Sequence, residues 1–214
     1  MVMLTVDDHP LIRSALREVV ALMAERIELI EASNPEAGLD LLRRRPDTDI
    51  VFLDLSFAQH DGLAFVERYR AAAPATPIVI YTMHEDLPTL KRALAQGAAG
   101  IVPKTHSPKV LQQAIEVVMG GGVYLPPELA RQLAAPEATS APRAQHTPMN
   151  SQQQRILELL AQGLPNKSIA RELGIAASTV KNQLTVVFDK LGVSNRTQAA
   201  IAARTLLKSK PPRA

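Results

Sequence analysis

The 214-residue sequence has no cysteine, which excludes disulfides, thiolate metal sites and cysteine nucleophiles. It also lacks any run approaching the roughly 18 apolar residues that a membrane-spanning helix needs, so no transmembrane segment is expected. A secretory leader is not expected either. The first six residues pass straight into Asp7 and Asp8, with no basic region and no apolar stretch of signal length. These absences point to a cytoplasmic setting. The rest of the composition is ordinary. A hydrophobic content of 46% and a mean hydropathy of 0.00 supply real cores, and the length accommodates two modest domains.

The net charge of +3 hides an asymmetry. Residues 1–134 carry 13 basic against 17 acidic side chains, a net of −4, while residues 135–214 carry 11 against 4, a net of +7. An acidic first part and a basic second part imply different tasks, the second suited to a polyanion.

Residues 1–120 alternate short β-branched runs with longer helical patterns. The runs fall at 2–6, 27–31, 50–54, 78–82 and 100–102. Apolar residues at i, i+3, i+4 spacing predict helices over 11–24, 35–45, 63–70, 87–96 and 108–119. Asn34 before Pro35 and Ser107 before Pro108 read as helix N-caps. Five strands alternating with five helices predict an α/β doubly wound domain, a parallel sheet covered on both faces. In such sheets the working crevice lies at the carboxyl ends of the strands, near the switch in strand order.

Those ends carry the chemistry. The first strand runs into Asp7 and Asp8, the third ends in Asp54, the fourth in Thr82, and Lys104 follows the fifth. Clustered carboxylates repel one another and call for a cation. Hard oxygen donors, with neither His nor Cys assigned among them, suit Mg²⁺. A lysine charge and a threonine hydroxyl suit phosphoryl oxygens, which leaves Asp54 as the nucleophile toward a phosphoryl group.

These motifs resemble the response regulators of the NarL/FixJ family. "TVDDHP" is similar to the acidic-pair motif, "IVFLDLS" to the phospho-acceptor strand, "IVIYT" to the switch-threonine strand and "GAAGIVPK" to the invariant-lysine loop. The resemblance implies a five-stranded flavodoxin-like receiver in which a sensor histidine kinase phosphorylates Asp54. It implies Mg²⁺ held directly by Asp8, Asp54 and the backbone carbonyl of Ser56, and by Asp7 through water. Thr82 and Lys104 would bind the phosphoryl oxygens. Two positions depart from the family: Ala58 stands where a proline is usual, and Ile101 occupies the position of the aromatic switch residue. A dehalogenase-like phosphatase would need an acid two residues after the nucleophile, and Ser56 cannot protonate a leaving group as a carboxylic acid does. The chain is therefore read as a regulator, not an enzyme.

After a short helical pattern, residues 135–148 are rich in Ala, Pro, Ser and Thr and read as a flexible linker. The remainder predicts four helices, over 150–162, 166–173, 177–190 and 195–207, the first two stopped by Gly163 and Gly174. Ile169, Ala170 and Leu173, with Val180, Leu184, Val187 and Leu191, form an apolar stripe. Lys167, Lys181, Asn182, Thr185 and Lys190 occupy the opposite faces. Two short helices around "LGI" suit a scaffold helix and a recognition helix for the major groove. This part resembles the family's LuxR-type helix-turn-helix. By that resemblance Lys181, Asn182 and Thr185 face base edges, while Lys167, Thr179, Gln183, Lys190 and Arg196 hold phosphates. The last helix would offer small residues to a dimer partner. The usual glutamate of the first helix is Gln153, the usual histidine is Gln183, and the usual Ser or Thr cap of the recognition helix is Ala176.

The expected organisation is a receiver over 1–125, a short helix and linker over 126–148, a helix-turn-helix domain over 149–208, and a tail over 209–214. The expected function is a DNA-binding transcriptional response regulator in a two-component system, a phosphoprotein whose phosphorylation governs homodimerisation on double-stranded promoter DNA. The alternative is a receiver-like transcription factor whose DNA binding does not depend on phosphorylation.

Overall fold

A computed structural model describes residues 1–23, 27–57, 60–83, 86–133, 149–193 and 196–208. The chain runs β1 (Val2–Val6), α1 (Pro10–Ala21), β2 (Glu28–Ala32), α2 (Pro35–Arg44), β3 (Ile50–Leu53), β4 (Ser56–Phe57), β5 (His60–Asp61) and α3 (Gly62–Ala72). It continues through β6 (Ile78–Thr82), α4 (Leu87–Ala95), β7 (Gly100–Pro103), α5 (Pro108–Met119) and α6 (Pro127–Leu133). The basic part forms α7 (Ser151–Ala161), α8 (Asn166–Leu173), α9 (Ala177–Leu191) and α10 (Arg196–Lys208).

Five strands pair in parallel in the order β2-β1-β3-β6-β7, as the alternating pattern predicts. Each central strand is buried on both faces and so reads as a nearly continuous apolar run, interrupted in β1 by the buried Thr5. Leu4, Val6, Val51, Leu53 and Ile80 pack with Leu39, Leu63, Val66 and Leu90 on one side. Met3, Phe52, Val79 and Tyr81 pack with Leu16, Val20, Leu111 and Ile115 on the other. The chain leaves β1 for β2 and returns to β3 on β1's other side, so the strand order switches between β1 and β3. The crevice belongs there.

Helix α1 ends at Ala21, short of the predicted 24, and residues 24–26 lie outside the described part. Asn34 caps α2 by accepting from the Ala37 amide at 2.8 Å. Ser107 occupies the cap position of α5, but its side chain makes no cap hydrogen bond. The antiparallel β4–β5 pair is too short for a periodicity signal. Past α5, Tyr124 lies beside the outer strand, its carbonyl accepting from the Ile101 amide at 2.9 Å. Helix α6 then sets Leu129, 5% exposed, into the cluster containing Leu90 and Ile101. The linker expected at 135–148, Ala58 and the tail at 209–214 lie outside the described residues.

Helices α7–α10 enclose their own core, to which the predicted stripe contributes Ile169, Ala170, Val180, Leu184, Val187 and Leu191, with Leu173 only partly buried against it, and to which α7 adds Ile156 and Leu160. Gly174 ends α8 with φ at 66°, a left-handed conformation that costs glycine little and other residues more.

Candidate functional site: an acidic pocket and a docked reading helix

Main-chain hydrogen bonds continue one residue past several strands and fix where the polar side chains begin. The Asp7 amide donates to Ala32 O at 3.1 Å, the Asp54 amide to Val6 O at 3.0 Å, and the Lys104 amide to Thr82 O at 2.9 Å. The pocket follows from that ladder. Lys104 Nζ lies 2.6 Å from Asp54 Oδ2 and 2.7 Å from Asp7 Oδ2, its side chain 1% exposed. Asp7 and Asp54 are each 1% exposed. Asp8 stands at the rim, and one carboxylate oxygen from each of Asp7, Asp8 and Asp54 lies within 4.8 Å of the others. Thr82 is buried, its hydroxyl 3.5 Å from the Ser56 hydroxyl.

Two buried carboxylates against one buried lysine, with the exposed Asp8 at the rim, leave an excess negative charge at the mouth of a pocket with little water inside. Burying an unpaired charge is costly, so the arrangement favours a cation. Asp54 Oδ1 sharpens the point: it is buried and has no hydrogen-bond partner among the described residues. A hard divalent ion fits these oxygen donors. Two neighbours escaped the sequence reading. Arg13 donates to the Asp7 carbonyl at 2.7 Å and pairs with Glu31 at 3.2 Å. His9 places Nδ1 2.8 Å from Asp8 Oδ1 and 3.2 Å from Asp7 Oδ1. Ile101 is fully buried in the apolar cluster with Leu129.

The basic helices meet the opposite end of the sheet. Lys181 Nζ donates to the Pro46 carbonyl at 2.8 Å and also to the Thr48 carbonyl. Lys167 Nζ lies 3.1 Å from Asp49, whose carboxylate also accepts from the Val2 amide at 2.8 Å. Burial pushes the Lys181 ammonium pKa down, against the upward pull of Asp49 and Asp47. Asn182 and Thr185 line the same cleft of about 360 Å³ with Arg45 and Pro46. The three residues assigned to base edges therefore face the receiver in this conformation.

The residues assigned to phosphates separate. Lys190 Nζ lies 2.9 Å from Gln153 Oε1, and Gln153 Nε2 donates to Gln183 Oε1 at 3.1 Å. The two departures from the family pattern, Gln153 and Gln183, thus pair with each other. Gln153 also completes a capping box with Asn150. Thr179 is half-buried near the start of α9, whose cap residue Ala176 supplies no side-chain hydrogen bond. Arg196 requires a correction. It is 8% exposed and donates to Asn166 Oδ1 at 2.8 Å and to the Leu164 carbonyl. Burial brings its pKa down to about 10. Held this way it ties the start of α10 to the α7–α8 turn and does not face outward toward a phosphate.

An acidic pocket at the carboxyl edge of a doubly wound domain, joined to a helix-turn-helix domain, defines a response regulator with a DNA-binding output domain. Comparison with known proteins agrees. Residues 3–116 match the family described as response regulator receiver domain, and residues 148–203 match bacterial regulatory proteins, luxR family. The chain belongs to the NarL/FixJ family of response regulators. It is 32% identical to the glycerol metabolism activator of Pseudomonas putida, over 94% of this chain and 93% of that one. It is 33% identical to the nitrate/nitrite response regulator NarL of Escherichia coli, over 92% of each. A two-component response regulator of the LuxR family from Aurantimonas sp. superposes with a TM-score of 0.57 at 30% identity, covering 62% of this chain and 94% of that one. The chain is a transcriptional response regulator. Among the described residues no helix is long and apolar enough to cross a membrane.

Proposed function

We propose that Asp54 accepts a phosphoryl group from a sensor histidine kinase in the cytoplasm and that this event controls dimerisation and promoter binding. The observation that carries the reading is the buried, unpartnered Asp54 Oδ1 beside a lysine already shared by Asp54 and Asp7. An Asp54 oxygen attacks phosphorus while the bond from phosphorus to the donor nitrogen breaks. Lys104 and Thr82 then stabilise the transferred oxygens. Asp8, Asp54 and the Ser56 carbonyl would hold Mg²⁺, with Asp7 acting through water. When bound, the ion offsets negative charge on the phosphoryl group.

The docked arrangement supplies the control. Lys181 can serve the Pro46 and Thr48 carbonyls or a base edge, but not both. Promoter DNA and the receiver compete for one helix, and phosphorylation acts only through a difference in its affinity for the docked and released states. In the released state Lys181, Asn182 and Thr185 read bases, and Lys167, Thr179, Gln183 and Lys190 contact phosphates. The dimer forms on double-stranded promoter DNA.

The test is incubation of the full chain with acetyl phosphate and Mg²⁺, reading phosphate on Asp54 and oligomeric state in one sample. Phosphate on the parent but not on Asp54→Asn supports the reading, and equal labelling defeats it. A second reading, DNA binding independent of phosphate, is favoured by Ile101. It is aliphatic and packed beneath α6, so no ring is available to swing with Thr82. Operator affinity unchanged by beryllofluoride would select this reading.

A further inference from the structure

We propose that a cleft formed where the two domains meet is an effector site for a small arylalkylamine, which holds the docked conformation when it binds. The inference rests on the docked arrangement above and names the kind of molecule that would regulate it. The cleft has a volume of about 360 Å³, in the range of ordinary small-molecule sites, which favour domain interfaces. Met1, Pro77, Glu116 and Met119 line it from the receiver, and Pro165 and Lys167 from the basic helices. Two close contacts border it. Ala75, in the turn before β6, is buried in the core cluster of α7–α10. The turns at Gly120 and Gly163 also meet, so that a Cβ on Gly163 would lie 3.0 Å from the Gly120 carbonyl oxygen.

The lining selects the occupant. Its basic groups are committed: Lys167 faces Asp49 at 3.1 Å, and the Arg196 guanidinium donates to Asn166 Oδ1 and the Leu164 carbonyl. Glu116 is less so. It is exposed, and its carboxylate accepts from an uncharged amide, that of Gln112, at 3.2 Å. An ammonium would offer it a charge-assisted hydrogen bond, about twice as strong as a neutral one. Met1, Pro77 and Met119, all half-buried, give the receiver side an apolar surface. Thioethers adapt to irregular shapes and make favourable contacts with aromatic rings, and among the described residues no aromatic side chain lines the cleft. An aromatic body against the methionines and an ammonium on Glu116 satisfy both features.

A ligand that touches both domains binds the docked state and not the released one. It therefore opposes promoter DNA without occupying the reading helix. With docking favoured about tenfold, an amine at about ten times its dissociation constant should weaken operator binding by about tenfold.

The experiment uses the full chain, its Glu116→Gln variant and the fragment from residue 145 onward, whose helices enclose their own core. Phenethylamine is the probe, phenethyl alcohol its uncharged counterpart, and ammonium chloride holds the ionic strength. The amine should raise the melting temperature of the full chain and weaken its operator binding in a gel shift, well beyond the effect of the alcohol. Glu116→Gln should erase the amine's advantage over the alcohol, and the fragment should not respond. Equal action of amine and alcohol on the parent, or an undiminished amine response in Glu116→Gln, overturns the proposal. Weakened binding by the fragment also overturns it, because the amine would then act at the reading face. If the fragment binds operator more tightly than the amine-free chain and the amine changes nothing, docking stands and the effector site alone falls. If the amine-free chain binds at least as well as the fragment, docking fails and this inference with it.

Discussion

Two lysines at opposite ends of one sheet meet different partners. Lys104 lies between the carboxylates of Asp7 and Asp54, so full charges of opposite sign offset its burial. Lys181 is directed at two main-chain carbonyls, and its desolvation outweighs what those dipoles and the nearby acids return, which is why its pKa falls. A buried ammonium held by carboxylates belongs to a built site. One held by carbonyl dipoles is a charge kept away from a better partner, and phosphate-rich DNA is such a partner. The first contact should resist salt and competition; the second should yield to both.

The largest expected effect attacks the Lys104 end. Beryllofluoride with Mg²⁺ at about 100 times its dissociation constant should stabilise the protein by about 2.7 kcal/mol. Asp54→Asn should abolish most of that gain in a thermal melt, and full retention would place the acceptor elsewhere. The next attacks the Lys181 end by removing the receiver. The fragment from residue 145 onward should bind operator about tenfold more tightly than the unphosphorylated chain, a difference of about 1.4 kcal/mol. Intact protein that binds at least as well as the fragment would mean that docking does not mask the helix.

A smaller change loosens the same end without touching the reading face. Asp49→Asn removes the buried carboxylate charge that faces the half-exposed Lys167 ammonium, a contact worth about 0.2–1 kcal/mol. Operator affinity of the full chain should rise up to about fivefold by gel shift, with that of the fragment unaffected. The smallest concerns the Gln153–Gln183 pair, which carries no ionisable group. Gln153→Glu with Gln183→His should introduce a pH dependence that the parent pair lacks. The glutamate raises the folded histidine pKa above its unfolded value near 6.5. The added stability, under about 1 kcal/mol, is then present below the unfolded pKa and lost as pH rises through the folded one. Melting of the fragment between pH 5 and 8 reads it, and parallel curves for parent and variant would refute the contact.

The sheet and its acidic edge were legible because the strands that build the pocket carry their own signal: a mainly apolar run followed by a polar residue, which the outer strand β2 with its Glu28 and Glu31 does not show. Asp7, Asp54, Thr82 and Lys104 stand at four such ends, and topology alone brings them together. His9 and Arg13 were not legible. Both lie in the turn and first helical turn after Asp8, where a polar residue is as compatible with solvent as with the pocket. Arg196 was misread for a related reason. An arginine beside a basic helix looks like a phosphate contact, and only the fold reveals the Leu164 carbonyl and the Asn166 amide that enclose it. The docking of Lys181 depends on two carbonyls, which every residue possesses and no side-chain pattern announces.

Strand β3 gives the docked arrangement a further consequence. It begins just after Asp49, the receiver's anchor for Lys167, and ends just before Asp54. The two carboxylates are thus joined by a single extended segment of about 17 Å, with no loop between them. If phosphate on Asp54 weakens the hold on the reading helix, thermodynamic reciprocity requires that drawing the helix away strengthens the hold on phosphate by the same factor. Promoter DNA then becomes an effector of the pocket. Operator-bound protein should take up beryllofluoride more tightly than free protein, and a site of action would itself favour the active form.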